Sequence, residues 1–95
     1  MWDSVTYVEP SRRTVIHEGI DPAHIVITNA GPRNIDLLVW EVPALTAGPS
    51  YRMHMPPGNT RSTSGSMIMV GISESQGMTN SQTASFAAVA WRIVR

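Results

Sequence analysis

Three histidines and seven carboxylates are the residues of this chain whose chemistry could serve a metal site or acid–base catalysis. His17, His24 and His54 lack the spacing of one, three or four residues that lets a strand or helix chelate a metal. Asp36 and Glu41 share one predicted strand, but their odd spacing places the two carboxylates on opposite faces. We therefore expect no metal site and no cofactor, and an enzyme would need a pocket that joins one histidine to a carboxylate.

The motifs of covalent catalysis and phosphate binding are also absent from the sequence. There is no cysteine, which excludes a disulfide, a thiolate nucleophile and a thiolate metal ligand. The serine–glycine segments lack the Gly-x-Ser-x-Gly elbow of hydrolases. A lysine-dependent phosphate loop is impossible because the chain contains no lysine. The sequence therefore predicts no catalytic residue and a protein that is not an enzyme.

All seven basic residues are arginines, and seven acidic residues balance them to a net charge of zero. A neutral chain produces no net field that attracts nucleic acid or a membrane surface, so neither is an expected partner. Arginine is favoured over lysine at protein–protein interfaces because its guanidinium is weakly hydrated and binds carboxylates bidentately. The same usage is equally typical of a GC-rich genome, and both explanations stay open.

A chain of 95 residues is expected to form one domain, 1–95. Its 42% of hydrophobic residues argue against disorder. The N-terminus has neither the basic region nor the apolar core of a signal peptide, and no apolar run is long enough to span a bilayer. We therefore expect a folded domain made inside the cell.

Glycines and prolines divide the chain into short pieces, a spacing typical of strands joined by turns. Strands are predicted over residues 5–8, 14–17, 24–29, 35–42, 51–55, 67–72 and 84–94, with turns or loops over 18–22, 29–34, 45–50, 56–59 and 74–83. The last segment also fits a helical stripe, but we favour a strand that pairs with 67–72 as a hairpin. The predicted fold is all-β, a small antiparallel β-sandwich or barrel of about seven strands, with a C-terminal hairpin and an N-terminal arm over about 1–22.

Three predicted strands, 35–42, 67–72 and 84–94, are apolar on both faces. An antiparallel sandwich normally shows polar residues on its solvent face, so this pattern predicts a homo-oligomer or docking on a larger protein assembly. Aromatic residues and arginines are the types enriched in such contacts. The candidate interface residues are Trp2, Arg12, Arg13, Tyr51, Arg52, Trp91 and Arg95.

The layout of residues 25–72 places a strand ending in Asn29-Ala30-Gly31 before an apolar strand, which is followed by the loop Leu45 to Ser50. This layout resembles the small β-sandwich or barrel decoration (cement) proteins of tailed phage capsids. The resemblance implies an oligomer that staples neighbouring capsid subunits in a virion made in the host cytoplasm. It implies no site residue, since such proteins act through surface shape. The alternative is a carbohydrate-binding β-sandwich module, in which Trp2 and Tyr51 would stack on sugar rings.

Overall fold

The computed structural model describes residues 2–42, 48–73 and 86–94, and these residues form an all-β fold. The six strands are β1 (Ser4–Val8), β2 (Thr14–Pro32), β3 (Ile35–Trp40), β4 (Tyr51–Met55), β5 (Thr60–Ile72) and β6 (Ala87–Val94). They form one antiparallel sheet in the order β1-β6-β2-β5-β3-β4. The predicted all-β class is confirmed, with six strands in place of about seven and a sheet that is not closed. No helix in the described ranges is long and apolar enough to cross a membrane.

The long strand β2 joins two strands that the sequence predicts as separate. The predicted turn over 18–22 is a register irregularity within β2, between Glu18 and Ala23. Because β1 and the first part of β2 are both paired in the sheet, residues 4–8 and 14–22 belong to the sheet and do not form an arm.

Strands β2 and β5 pair with each other in both halves of the sheet. Near Val15, β2 pairs with the part of β5 that also pairs with β3. Near Ile25, β2 pairs with the start of β5 on one edge and with β6 on the other. The β2–β5 ribbon therefore links a half built on β3 and β4 to a half built on β6 and β1, and the two halves pack face to face like a sandwich.

The core between the two halves is built from buried side chains of all six strands. They are Val8, Ile16, Ile25, Ile27, Ile35, Leu37, Val39, Met55, Ile68, Val70, Ala87 and Val89. Burying each of the larger aliphatic side chains contributes about 1.5–3 kcal/mol relative to leaving it exposed. Because the set includes β3 and β4 residues as well as β2 and β6 residues, this one core holds both halves together.

A second apolar cluster lies on the outer face of β3 and β5. Leu38, Trp40 and Met67 are buried there, with Met69 packed against them. The indole Nε1 of Trp40 is buried and has no hydrogen-bond acceptor among the described residues. The single chain thus already covers most of the apolar surface that the sequence assigns to a partner on these two strands.

The predicted strand at the C-terminal end is confirmed as β6, but the predicted hairpin is not formed. Both edges of β5 are occupied, by β2 and by β3, so β6 pairs with β2 and β1. The predicted strand 51–55 is confirmed as β4, and Gly58 has a φ of +87° in the predicted turn that follows it. Residues 45–47 of the predicted loop 45–50, and the whole predicted loop 74–83, lie outside the described residues.

Buried Asn29 ties the end of β2 to the end of β4. Its Nδ2 donates to the carbonyl oxygens of Arg33, at 2.8 Å, and Met55, at 2.9 Å. Its Oδ1 accepts a hydrogen bond from the backbone N–H of Gly31 at 2.8 Å. Gly31 has a φ of +83°, a conformation that favours glycine, and it precedes a cis bond to Pro32. One side chain therefore satisfies three backbone groups at a tight reversal of the chain.

We expect Asn29→Ala to lower the free energy of unfolding by about 3 kcal/mol, because it leaves buried backbone groups without partners. Thr28→Ala is the control, since it removes the exposed hydrogen bond to Thr60 and should cost about 0.5 kcal/mol or less. Urea denaturation measures both. Equal losses in the two variants would contradict the structural role of Asn29.

We expect Gly65→Ala to destabilise the protein by about 2 kcal/mol, because β5 passes close to β3 at this residue. A Cβ on Gly65 would lie 2.7 Å from Val39 Cγ1 and 2.8 Å from the carbonyl oxygen of Trp40. In the control Gly19→Ala, the new Cβ would lie 3.6 Å from the His17 ring, an ordinary contact. Urea midpoints compare the two variants, and a Gly65→Ala midpoint equal to that of the control would contradict the close approach.

Candidate functional site

The connection between β1 and β2 lies beside the outer face of β3, β4 and β5 and forms a cleft of about 480 Å³. The lining residues are Pro10, Ser11, Arg12, Arg13, Asp36, Leu38, Arg52, Gly71 and Ile72. We call this the arginine cleft. Arg12, Arg13 and Arg52, three of the candidate interface residues, line this cleft together, although Arg52 is distant in the sequence from the Arg12–Arg13 pair.

Strand register places the side chains that form the floor of the cleft. Arg52 lies opposite Leu38, and Asp36 lies opposite Gly71, so these residues share one face of the sheet. Gly71 has no side chain, and a Cβ at this position would lie 3.3 Å from Cγ of Arg13. The missing side chain therefore leaves room for the stem of Arg13 over the sheet.

The arginine cleft carries more positive than negative charge. Arg12 Nε lies 3.9 Å from Glu9 Oε2, but both side chains are mostly exposed, so this pair contributes little. Arg13 and Arg52 take part in no ion pair with another described residue. Asp36 is engaged by His54, whose Nδ1 lies 3.1 Å from its Oδ1. The guanidinium groups are thus available to an outside anion.

His54 also brings together the three residue types of a nucleophilic triad. Its Nδ1 lies 3.1 Å from Asp36 Oδ1 and 3.3 Å from Ser73 Oγ. A relay needs the carboxylate on one ring nitrogen and the nucleophile on the other, whereas both contacts here are to Nδ1. Ser73 is also buried. The cluster cannot work as a proton relay in this arrangement.

The other two histidines also hydrogen-bond within the domain. His17 Nε2 lies 3.3 Å from the carbonyl oxygen of Asp21, and His24 Nε2 lies 2.8 Å from Ser62 Oγ. No group of three His, Cys, Asp or Glu residues that could hold a metal ion occurs in the part of the chain that the structure describes. The described histidines therefore act as hydrogen-bonding side chains.

A second surface lies on the outer face of β1 and β6. We call it the β1–β6 face and define it by Val5, Tyr7, Phe86, Ala88 and Ala90. Val5 is 54% exposed, Tyr7 65% and Phe86 46%. The Tyr7 and Phe86 rings pack edge to face, with centroids 5.4 Å apart and an interplanar angle of 69°. This face is an exposed apolar patch.

Sequence reasoning missed Val5, Tyr7 and Phe86 as candidate contact residues. The signal was the alternation in β1, which places Val5 and Tyr7 on one face of the strand. Their partners on β6 are Ala90 and Ala88, whose methyl groups are too small to cover them. The exposure therefore depends on a pairing between strands from opposite ends of the sequence.

The aromatic candidate residues from the sequence differ in their surroundings. Trp2 is 41% exposed. Tyr51 and Trp91 are half-buried and pack against the core. The Tyr51 hydroxyl hydrogen-bonds to Thr63 Oγ1, and Trp91 Nε1 donates to Thr6 Oγ1 at 3.2 Å. Both therefore offer less surface to a partner than the sequence predicts, and Arg95 lies outside the described residues.

Comparison of the chain with protein-family models, curated proteins and solved structures found no match. Among the described residues, the arginine cleft and the β1–β6 face are the surfaces that suggest a function.

We expect Tyr51→Phe to lower the free energy of unfolding by about 1 kcal/mol, because the nearly buried Thr63 hydroxyl loses its partner. Tyr7→Phe is the matched control, because it removes the same hydroxyl from an exposed ring and should leave the stability unchanged within about 0.5 kcal/mol. Thermal or urea unfolding distinguishes them. An unchanged Tyr51→Phe variant would contradict the assignment of Tyr51 to the core.

Proposed function

We propose that this chain is a non-enzymatic structural protein that self-associates through the β1–β6 face and builds into a larger protein assembly. The observation that carries the proposal is the exposure of Val5 and Tyr7 on an edge strand. Apolar side chains on a sheet edge gain stability when a partner removes them from water. The sequence resemblance suggests capsid decoration in a virion as the kind of assembly.

The two edges of the sheet differ in how well they are protected from pairing. The edge strand β4 carries Arg52 and His54 within its five residues. Charge and proline are the usual devices that prevent edge-to-edge pairing. Strand β1 has the sequence Ser-Val-Thr-Tyr-Val, with no charge, no proline and a regular register against β6. Among the described strands, β1 is therefore the edge open to a partner.

A second copy of the chain can supply that partner. A two-fold axis beside β1 brings β1 of the other copy alongside in the antiparallel direction and extends the sheet across both molecules. The same residues then meet on both sides, so Val5 and Tyr7 of each copy bury one another. Backbone groups on the open edge of β1 gain hydrogen-bond partners in the same step.

A protein partner agrees better with the charges than a nucleic acid or a membrane does, since the chain has a net charge of zero. The His54 geometry supports a function without catalysis, because its two contacts share one ring nitrogen. In this proposal, contact with a larger assembly depends on the shape of the protein surface and on its exposed side chains.

Carbohydrate binding is the second candidate function, and the exposed rings of Tyr7 and Trp2 favour it. An exposed aromatic ring can stack on a sugar ring. Tyr51 is not such a platform because its ring packs on the core. A protein that stays monomeric and binds immobilised glycans, with binding lost in Tyr7→Ala, would support this function over self-association.

We expect the wild-type chain at micromolar concentration to show at least twice the mass of one chain in light scattering. The double variant Val5→Lys/Tyr7→Lys should be a monomer, because lysines on an edge strand oppose pairing. Ile20→Lys is the control, since Ile20 is 84% exposed but lies outside the β1–β6 face. This control should keep the wild-type mass.

A wild-type protein that is a monodisperse monomer would overturn self-association. Equal dissociation by Ile20→Lys would overturn the assignment to the β1–β6 face. Urea midpoints of the variants establish that a change in mass is not a loss of folding, and a folded double variant that keeps the oligomer would also contradict the proposal.

A further inference from the structure

The arginine cleft is positively charged, although the chain as a whole has a net charge of zero. Three arginines and one aspartate line it, so the lining side chains carry a net charge of about +2 at neutral pH, and Glu9 lies just outside the lining, beside Arg12. A concave site whose walls carry one excess charge attracts ligands of the opposite sign. Its volume of about 480 Å³ is in the range of known ligand sites.

The guanidinium groups are suited to carboxylates. Each presents planar paired N–H donors that bind a carboxylate or phosphate bidentately. Arg13 and Arg52 make no ion pair with any other residue in the described ranges, so binding breaks no strong internal contact. Ligand binding to Arg12 would replace only its long, exposed contact with Glu9.

Arginine binds both phosphates and carboxylates, and Asp36 makes the cleft more suitable for carboxylates of a peptide. Its carboxylate on the cleft floor repels the concentrated charge of a phosphate more strongly than two separated carboxylates, and it accepts a hydrogen bond from a peptide N–H. No aromatic residue lines the cleft, so the stacking platform of single-stranded nucleic acid sites is absent from this lining.

We infer that the arginine cleft binds an acidic peptide segment of a protein partner, with two carboxylates on the guanidinium groups and a backbone amide on Asp36. Two carboxylates balance the excess charge of the cleft. In an extended peptide, residues at alternate positions point to the same side, so two glutamates separated by one residue reach the cleft together. This site lies on the outer face of β3, β4 and β5 and is separate from the self-association face.

The test uses the full chain and a fluorescein-labelled peptide of five residues with glutamates at the second and fourth positions. The matched peptide carries glutamines there. Fluorescence anisotropy should show saturable binding of the glutamate peptide, at least about tenfold tighter than that of the glutamine peptide. Equal affinities for the two peptides would overturn the inference.

Substitutions in the cleft locate the site. Arg52→Gln and Arg13→Gln should each weaken binding of the glutamate peptide by about tenfold, and Arg52→Lys by less, because lysine keeps the charge but loses the paired donors. Arg92→Gln is the charge-matched control, since Arg92 is exposed on β6 and does not line the cleft. Weakening by Arg92→Gln equal to that by Arg52→Gln would show an effect of bulk charge and overturn the site.

Competition experiments distinguish the ligand classes. Inorganic phosphate that displaces the peptide at a lower concentration than unlabelled glutamate peptide would replace the inference with a simple oxyanion site. A labelled single-stranded oligonucleotide that binds more tightly than the peptide, and loses binding in Arg52→Gln, would also overturn it. The folded Val5→Lys/Tyr7→Lys variant should bind the peptide as the wild type does, so the cleft and self-association can fail separately.

Discussion

The β2–β5 ribbon is the constraint on which the rest of the structure depends. Its two strands pair with each other in both halves of the sheet, and their side chains enter the same core. The register irregularity between Glu18 and Ala23 and the bare backbone of Gly65 accompany the passage from one half to the other. Because the halves share strands as well as a core, neither can keep its packing when the other is lost, and the domain is expected to unfold as one unit.

The same ribbon separates two surfaces of different chemistry. On the half with β3 and β4, a methionine-rich cluster buries the outer face, and the connection before β2 adds arginines beside it. On the half with β6 and β1, alanines face the outer apolar side chains and leave them uncovered. The strand order therefore places the charged edge strand, β4, and the apolar edge strand, β1, at opposite ends of one sheet.

The fold class could be predicted from the sequence because alternation and turn residues are local signals. These signals predict strand β4, and they predict that the segment containing β6 is a strand and not a helix. They do not predict the partners of β6, since a local pattern does not specify which edge is free. The arginine cleft could not be predicted for the same reason. Arg12 and Arg13 lie near Arg52 only because β3 and β5 are neighbours in the sheet. Val5 and Tyr7 belong to a predicted strand, but their exposure depends on the alanines opposite.

The pairing of β1 with β6 joins segments from nearly opposite extremes of the chain, with Ser4 beside Trp91. Contacts of such long sequence separation carry a high loop-closure cost, and we expect them to form late in folding. The β1–β6 face lies across this pairing, so it is complete only when β1 and β6 are paired. Partially folded chains lack this face, so the self-association that we propose for it requires the completed fold.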